Sequence, residues 1–142
     1  GQGDFYVPSN TGKWTNYLTN EVHQDGKWHT GIYDYENLPL LARPNSLIVE
    51  GSVDNKAEYD YAKDIVVHAF EVETSASAEI TDLLGETVGK ITIEKLTTCE
   101  YQVTTENLVN VSVIFRNKEL EAGETHKLGK LVTITSDTQL VK

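Results

Sequence analysis

Histidines are the first residues of this chain whose type and spacing could support chemistry. His23 and His29 flank a predicted Asp25–Gly26 turn, but a zinc site usually needs three or four convergent ligands. His68 lies inside an apolar run, where a histidine satisfied by a neighbouring side chain is the simpler interpretation. His126 falls in a polar loop. We therefore expect no metal site and no cofactor.

Closely spaced carboxylates are the second candidate. The chain has 22 acids among 142 residues, so adjacent pairs are expected by chance. Glycoside hydrolysis requires two acids that face each other in contrasting environments. No pair has that signature; the candidates are Asp34 with Glu36, Asp60 with Asp64, and Glu71 with Glu73. Glycine-rich phosphate loops and G-x-S-x-G elbows are absent from the sequence, and we expect no catalytic residue.

Aromatic residues are concentrated in the first half of the chain and allow two interpretations. A carbohydrate-binding module would expose rings for sugar stacking, and the candidates for that role are Trp28, Tyr59 and Tyr61. In the alternative, Trp14 and Trp28 fill a core, and tyrosines cover an interdomain seam with their hydroxyl groups in water.

Composition excludes several classes of protein. The formal net charge of −10 argues against binding to nucleic acid or to an anionic membrane surface. A hydrophobic content of 39% is enough for a core. The one cysteine, Cys99, cannot form an internal disulfide, and its strand-like surroundings predict a small buried hydrophobe.

Targeting signals give only an expectation about location. The sequence has no apolar run near the ~20 residues that span a bilayer and no visible signal peptide, so we expect a cytoplasmic protein. The absence of methionine and the opening Gly1-Gln2-Gly3 suggest a fragment of a longer protein, and the acidic balance, which is common in soluble bacterial enzymes, suggests a bacterial source.

Short strands with turn signals between them dominate the pattern. The strongest are 65–72 and 109–116, and no amphipathic helix longer than two turns is evident. Asp25-Gly26 predicts a hairpin between residues 21–23 and 27–29. The sequence therefore predicts an all-β chain of two small consecutive antiparallel β-sandwich domains, 1–73 and 74–142, with the boundary at the polar run 74–77.

The segment 33–48, YDYENLPLLARPNSLI, places one charged residue, Arg43, in an apolar stretch. Since an arginine is rarely buried without a partner, we expect Arg43 to be a polar tether in a β-rich core. The candidates for a structural role at a contact between domains are Arg43, Pro39, Trp14, Trp28, Tyr33 and Tyr35.

Five motifs in a constant order resemble the C-terminal region of glycoside hydrolase family 31, the α-glucosidase and α-xylosidase family. They are FYVP at 5–8, GKWT at 12–15, DGKW at 25–28, LPLLARPNS at 38–46, and EYDY at 58–61 followed by HAF at 68–70. The second half, from Thr74, matches the family's last domain only in position and β-character.

This resemblance implies proximal and distal C-terminal β-sandwich domains that follow a catalytic barrel. The family's catalytic acids lie in that barrel, so none is assigned to a position in this chain. The expected partners are the barrel of the same parent chain and other subunits of the parent enzyme. Carbohydrate is the partner in the alternative, a free-standing binding module. A fibronectin-like linker is a third alternative.

Overall fold

A computed structural model describes residues 2–7, 14–23, 27–32, 41–50, 62–116, 120 and 123–142. The chain divides into two compact units, Gly1–Pro44 and Asn45–Lys142, which we consider separately. The described elements are all strands, and this confirms the all-β class.

The described residues of the first unit form two small sheets. Its strands are β1 (Gln2–Val7), β2 (Trp14–Asn16), β3 (Val22–His23), β4 (Lys27–Ile32) and β5 (Leu41–Ala42). One sheet pairs β1 with β4, and the other has the order β3-β2-β5.

The predicted hairpin across Asp25-Gly26 is not formed by the described strands. β3 pairs with β2, whereas β4 pairs with β1 from Gln2 opposite Ile32 to Val7 opposite Lys27. Asp25 and Gly26 lie outside the described residues. A two-residue strand such as β3 has few ladder hydrogen bonds, so pairing with a longer sequence-distant partner determines the position of β4 instead.

The second unit is a sandwich-like pair of larger sheets. Its strands are β6 (Ser46–Glu50), β7 (Val66–Phe70), β8 (Ser75–Thr81), β9 (Thr87–Thr97), β10 (Glu100–Glu106), β11 (Val111–Arg116), β12 (Glu124–His126), β13 (Gly129–Ile134) and β14 (Thr138–Val141). One sheet has the order β14-β10-β9-β8, and the other β12-β13-β11-β7-β6.

Alternating side chains build the core between these sheets. Ile91 and Ile93 of β9 and Val103 of β10 are buried from one sheet, and Val113 and Phe115 of β11 are buried from the other. This alternation is the period-2 pattern of a strand with one face toward a core. The ring of Tyr101 in β10 contacts that of Phe115, with centroids 5.1 Å apart, so the two sheets pack face to face.

A parallel pair departs from the predicted antiparallel arrangement. β7 runs parallel to β11, with Ser112 opposite Val66 and Arg116 opposite Phe70. The predicted domain boundary between residues 73 and 74 therefore falls inside the second unit, because β6 and β7 complete a sheet whose other strands follow that boundary. The contacts of the chain divide at Pro44 instead.

Cys99 also differs from expectation. It is exposed in the turn between β9 and β10 and is not a buried hydrophobe. The strand-like pattern on both sides of it comes from two antiparallel strands, and Cys99 lies where the chain reverses. Among the residues that the structure describes, no helix is long and apolar enough to cross a membrane.

Candidate functional site

Arg43 and Trp14 form the one contact between predicted site residues that the structure describes. The guanidinium carbon of Arg43 lies 5.2 Å from the centroid of the Trp14 ring. Arg43 is exposed, which corrects the expectation of burial, and Trp14 is half-buried. An arginine stacked on an aromatic ring keeps its charge in water while its planar group packs, so the tether does not require a core position.

The other predicted residues are outside the described structure or only partly within it. Pro39, Tyr33, Tyr35, Tyr59 and Tyr61 lie outside the described residues. Trp28 lies in β4 opposite Tyr6, and its side chain is outside the description. Their assignment to a contact between domains or to sugar stacking stays a prediction.

Asn45 holds the turn after Arg43 and was not a predicted site residue. Its backbone has φ 56°, in the left-handed region that asparagine tolerates better than most residues. The side-chain Oδ1 accepts hydrogen bonds from Glu73 N at 2.7 Å and Thr74 N at 3.1 Å. The backbone N of Asn45 donates to Glu71 O at 3.0 Å. Asn45 thus joins the start of β6 to the connection between β7 and β8.

A network of polar side chains crosses three neighbouring strands on the other face of the five-stranded sheet. Nε2 of His68 in β7 lies 2.8 Å from Oε2 of Glu50 in β6, and Nδ1 of His68 lies 3.3 Å from Nη1 of Arg116 in β11. His68 and Arg116 are buried, whereas the Glu50 side chain is 53% exposed. The network therefore connects a surface carboxylate to a buried cation.

Arg116 is fully buried, with 0% exposure. Its guanidinium carbon lies 4.8 Å from the centroid of Phe70, which is a second cation–π contact. The strand alternation contained part of the signal, because Val113 and Phe115 point to the core and Arg116 therefore lies on the opposite face of β11. The parallel pairing of β7 with β11 brings His68 to the same face. Sequence alone did not show that this face is also covered.

The groups around His68 shift its pKa in opposite directions. Burial is the main cause that lowers the pKa of His68 from its ordinary value of 6.5, and the hydrogen bond to Glu50 acts in the raising direction. Arg116 and, less strongly, His126 lower the pKa further by charge repulsion. The expectation that His68 is satisfied by a neighbouring side chain agrees with these contacts.

Tyr101 adds a second perturbed group on the core side of the unit. It is 1% exposed, and its hydroxyl group has no hydrogen-bond partner in the described structure. Burial raises the pKa of Tyr101 above its ordinary value of 10, and Glu73 and Glu71 raise it further. The phenol therefore stays neutral at physiological pH and acts as a packing group, and its unsatisfied hydroxyl group carries a desolvation cost.

These contacts hold neighbouring strands and connections of the two units in place. Over the described residues, no group of three or more His, Cys, Asp or Glu side chains could hold a metal ion. The aromatic side chains whose burial the structure describes are buried or half-buried; they are Trp14, Tyr17, Phe70, Tyr101 and Phe115.

Comparison with known proteins identifies a sequence relative. The chain is 35% identical over 99 residues to alpha-xylosidase XylQ of Lactiplantibacillus pentosus, a match that covers 67% of this chain and 13% of that protein. The chain thus spans about an eighth of the curated relative's length. No protein-family model matches the chain.

Solved structures share the fold. The GH31 alpha-xylosidase of Xanthomonas citri matches with a TM-score of 0.62 at 14% identity, over 99% of this chain and 17% of that one. A GH31 dextranase of Flavobacterium johnsoniae matches with a TM-score of 0.59 at 17% identity, over 82% of this chain and 17% of that one. The sequence relative and the shared fold together confirm the predicted resemblance, and they relate this chain to the C-terminal β-sandwich region of glycoside hydrolase family 31.

Proposed function

We propose that this chain is a non-catalytic part of a family 31 α-glycosidase, either an α-xylosidase or an α-glucosidase, and that it supports the catalytic barrel. The intact enzyme would hydrolyse α-linked glycosides with retention of configuration. The observation that carries the proposal is the 35% identity to an α-xylosidase, of which this chain covers only 13%.

The described contacts support a structural role. The polar groups with the most developed geometry, Glu50, His68 and Arg116, hold strands to one another. The contact between Arg43 and Trp14 likewise stabilises its own unit. Neither arrangement presents a nucleophile or an acid/base pair to a cleft.

A graft tests this role directly. The matched region of alpha-xylosidase XylQ is replaced by the corresponding part of this chain, and hydrolysis of a chromogenic α-xyloside is measured. We expect the chimera to be soluble and active, XylQ without the region to lose soluble expression, and this chain alone to hydrolyse nothing. Full activity of the shortened XylQ, or hydrolysis by the isolated chain, would contradict the proposal.

Two matched variants test whether the graft must be folded to support activity, or whether a chain of that length is enough. Val113 is 0% exposed in the core, and Ser77 is exposed on β8. In the chimera, Val113→Asp buries a charge and should abolish activity by unfolding the graft, whereas Ser77→Asp should leave it intact. Equal activity of the two variants would show that a folded graft is not needed.

A carbohydrate-binding module is the competing interpretation of the aromatic-rich first half. Affinity electrophoresis in gels that contain xyloglucan, dextran or starch distinguishes the two. We expect no retardation of the chain. Retardation that disappears in Trp28→Ala or in Tyr59→Ala would favour the binding module over the supporting role.

A further inference from the structure

The turn between β8 and β9 presents two adjacent leucines to solvent. Leu83 is 69% exposed and Leu84 is 84% exposed. Oδ1 of Asp82 accepts hydrogen bonds from Leu84 N at 2.9 Å and from Glu86 N at 3.0 Å. Asp82 N donates to Glu86 O, and Gly85 adopts φ 82°. We call Leu83 and Leu84 the leucine knob.

The leucine knob is unusual because turn tips favour small and polar residues. Its backbone is held by Asp82, so burying the two side chains would require little ordering of the chain. Preordered apolar groups bind with a smaller entropic cost than groups on a flexible loop. The knob therefore has the properties of a contact surface.

A groove of about 400 Å³ lies in the same unit, between the β10–β11 and β13–β14 connections. Its apolar wall is formed by Leu108, Val109, Val111 and Ile134, and Val109 is 53% exposed. A cavity of about 150 Å³ is enough for a benzene molecule, which has more carbons than a leucine side chain. The groove therefore has room for both leucines of a knob.

Hydrogen bonds hold both sides of the groove in place. On one side, Asn110 Nδ2 donates to Asp64 Oδ1 at 3.0 Å, and Val109 N donates to Ala62 O at 3.0 Å. On the other side, Thr105 N donates to Asp137 O at 2.8 Å. Like the knob, the groove is formed before any partner binds.

The knob and the groove lie at the same end of the second unit. Lys90, just after the knob hairpin, pairs with Glu106 at the end of β10, where the groove begins. A Cβ placed on Gly89 would collide with Leu108, so the groove wall packs directly on the base of that hairpin. A two-fold axis at this end can therefore bring each knob to the groove of another copy.

We propose that a second copy of this chain occupies the groove, with the leucine knob of each copy inserted between Leu108 and Ile134 of the other. Such an exchange is isologous and closes as a dimer, because the same patch serves both partners. It goes beyond the supporting role proposed above and assigns residues to a contact between subunits.

Size and charge determine how the contact should behave. A standard interface buries about 800 Å² per partner. Two leucines and one groove per copy form a smaller contact than that, so the dimer should be weak. The acids Asp82, Glu86 and Asp137 lie beside the contact on both copies. Because like charges repel and salt screens them, dimerisation should strengthen as NaCl concentration rises.

Sedimentation velocity of the full 142-residue chain tests the proposal. We expect a reversible dimer with a dissociation constant on the order of 0.1 mM. Leu84→Asp should raise that constant at least about tenfold. Leu140→Asp is the matched control, because Leu140 is 57% exposed on β14 outside the knob and the groove, and it should not change the constant.

Mixing two complementary variants distinguishes this contact from non-specific association. Val109→Asp should block the groove as Leu84→Asp blocks the knob. A mixture of the two variants retains one intact knob with one intact groove and should associate more strongly than either variant alone. A monomer up to about 500 µM, equal effects of Leu84→Asp and Leu140→Asp, or no gain on mixing would each overturn the proposal. None of these results would change the outcome of the XylQ graft, so the two proposals fail separately.

Discussion

Arg116 Nη1 lies 3.3 Å from Nδ1 of His68, and this contact determines which nitrogen of the buried imidazole carries the proton. A guanidinium group can only donate hydrogen bonds, so Nδ1 of His68 must accept. The proton of the neutral ring is then on Nε2, which donates to Glu50 Oε2 at 2.8 Å. A proton added to Nδ1 would break the contact with Arg116 and place two cations together.

Stability should therefore decrease in mild acid. Because the pKa of His68 is lowered in the folded state, the unfolded chain binds the proton first as pH falls through the ordinary value of 6.5. The contribution of His68 is complete above pH 6.5 and is lost progressively from there down to the folded pKa. Urea unfolding at a series of pH values should show a slope of up to about 1.4 kcal/mol per pH unit in that window.

His68→Gln is the matched control for this pH dependence. Its amide oxygen can accept from Arg116 and its amide nitrogen can donate to Glu50, as the neutral ring does, but it does not titrate. The difference in stability between the two proteins should narrow as pH falls below 6.5. A difference that is independent of pH would contradict the lowered pKa of His68, whatever His126 and the other histidines contribute.

The two partners of His68 should move its pKa in opposite directions. Glu50→Gln removes a carboxylate that favours the charged ring, so the pKa of His68 should fall further. Arg116→Met removes the buried cation while retaining much of its volume, so the pKa should rise. NMR titration of the His68 ring protons measures both shifts, and shifts of the same sign would exclude the network as described.

Asn45 should contribute to stability both through its left-handed backbone and through its side-chain hydrogen bonds. Asn45→Gly keeps the left-handed backbone but loses two hydrogen bonds, and should cost about 1–2 kcal/mol of unfolding free energy. Asn45→Ala loses the same bonds and keeps a Cβ in the left-handed region, which glycine lacks, so it should be about 1 kcal/mol less stable than Asn45→Gly. Urea unfolding should rank the two variants in that order, and equal stability would show that φ is not strained.

The pair Arg43 and Trp14 should be coupled weakly. An exposed cation–π contact contributes about 0.5–1 kcal/mol, so a double-mutant cycle with Arg43→Ala and Trp14→Leu should give a coupling energy of that size. Arg43→Lys should retain part of it, because the ammonium group keeps the charge but lacks the planar stacking surface. A coupling energy of zero in thermal unfolding would mean that Arg43 is held only by its other contacts.

Local pattern predicted β7 and β11 of the second unit because each has a buried face. Residues 65–72 and 109–116 were expected to be strong strands, and β7 and β11 lie side by side at the centre of their sheet. The faces of β11 also follow the pattern, with Val111, Val113 and Phe115 in the core. A buried face imposes a period of two on the residues, and that period is visible in a single sequence.

Pairing between distant strands could not be predicted in the same way. Nothing near residue 73 indicates that β7 joins a strand that begins at Val111, so the expected boundary was placed where the local composition becomes polar. For the same reason, the sequence did not show that Arg43 is exposed and Arg116 is buried. Both are arginines in an apolar stretch of sequence, and they differ in whether sequence-distant parts of the protein cover them.

The parallel ladder of β7 and β11 also sets an order of events during synthesis. Val66 and its partner Ser112 are 46 residues apart in sequence, so the five-stranded sheet cannot close until most of the second unit has left the ribosome. The β8–β9 and β9–β10 hairpins have local partners and can form earlier. Until β11 arrives, β7 has an unpaired apolar edge, and this interval is when the nascent chain is most exposed to aggregation.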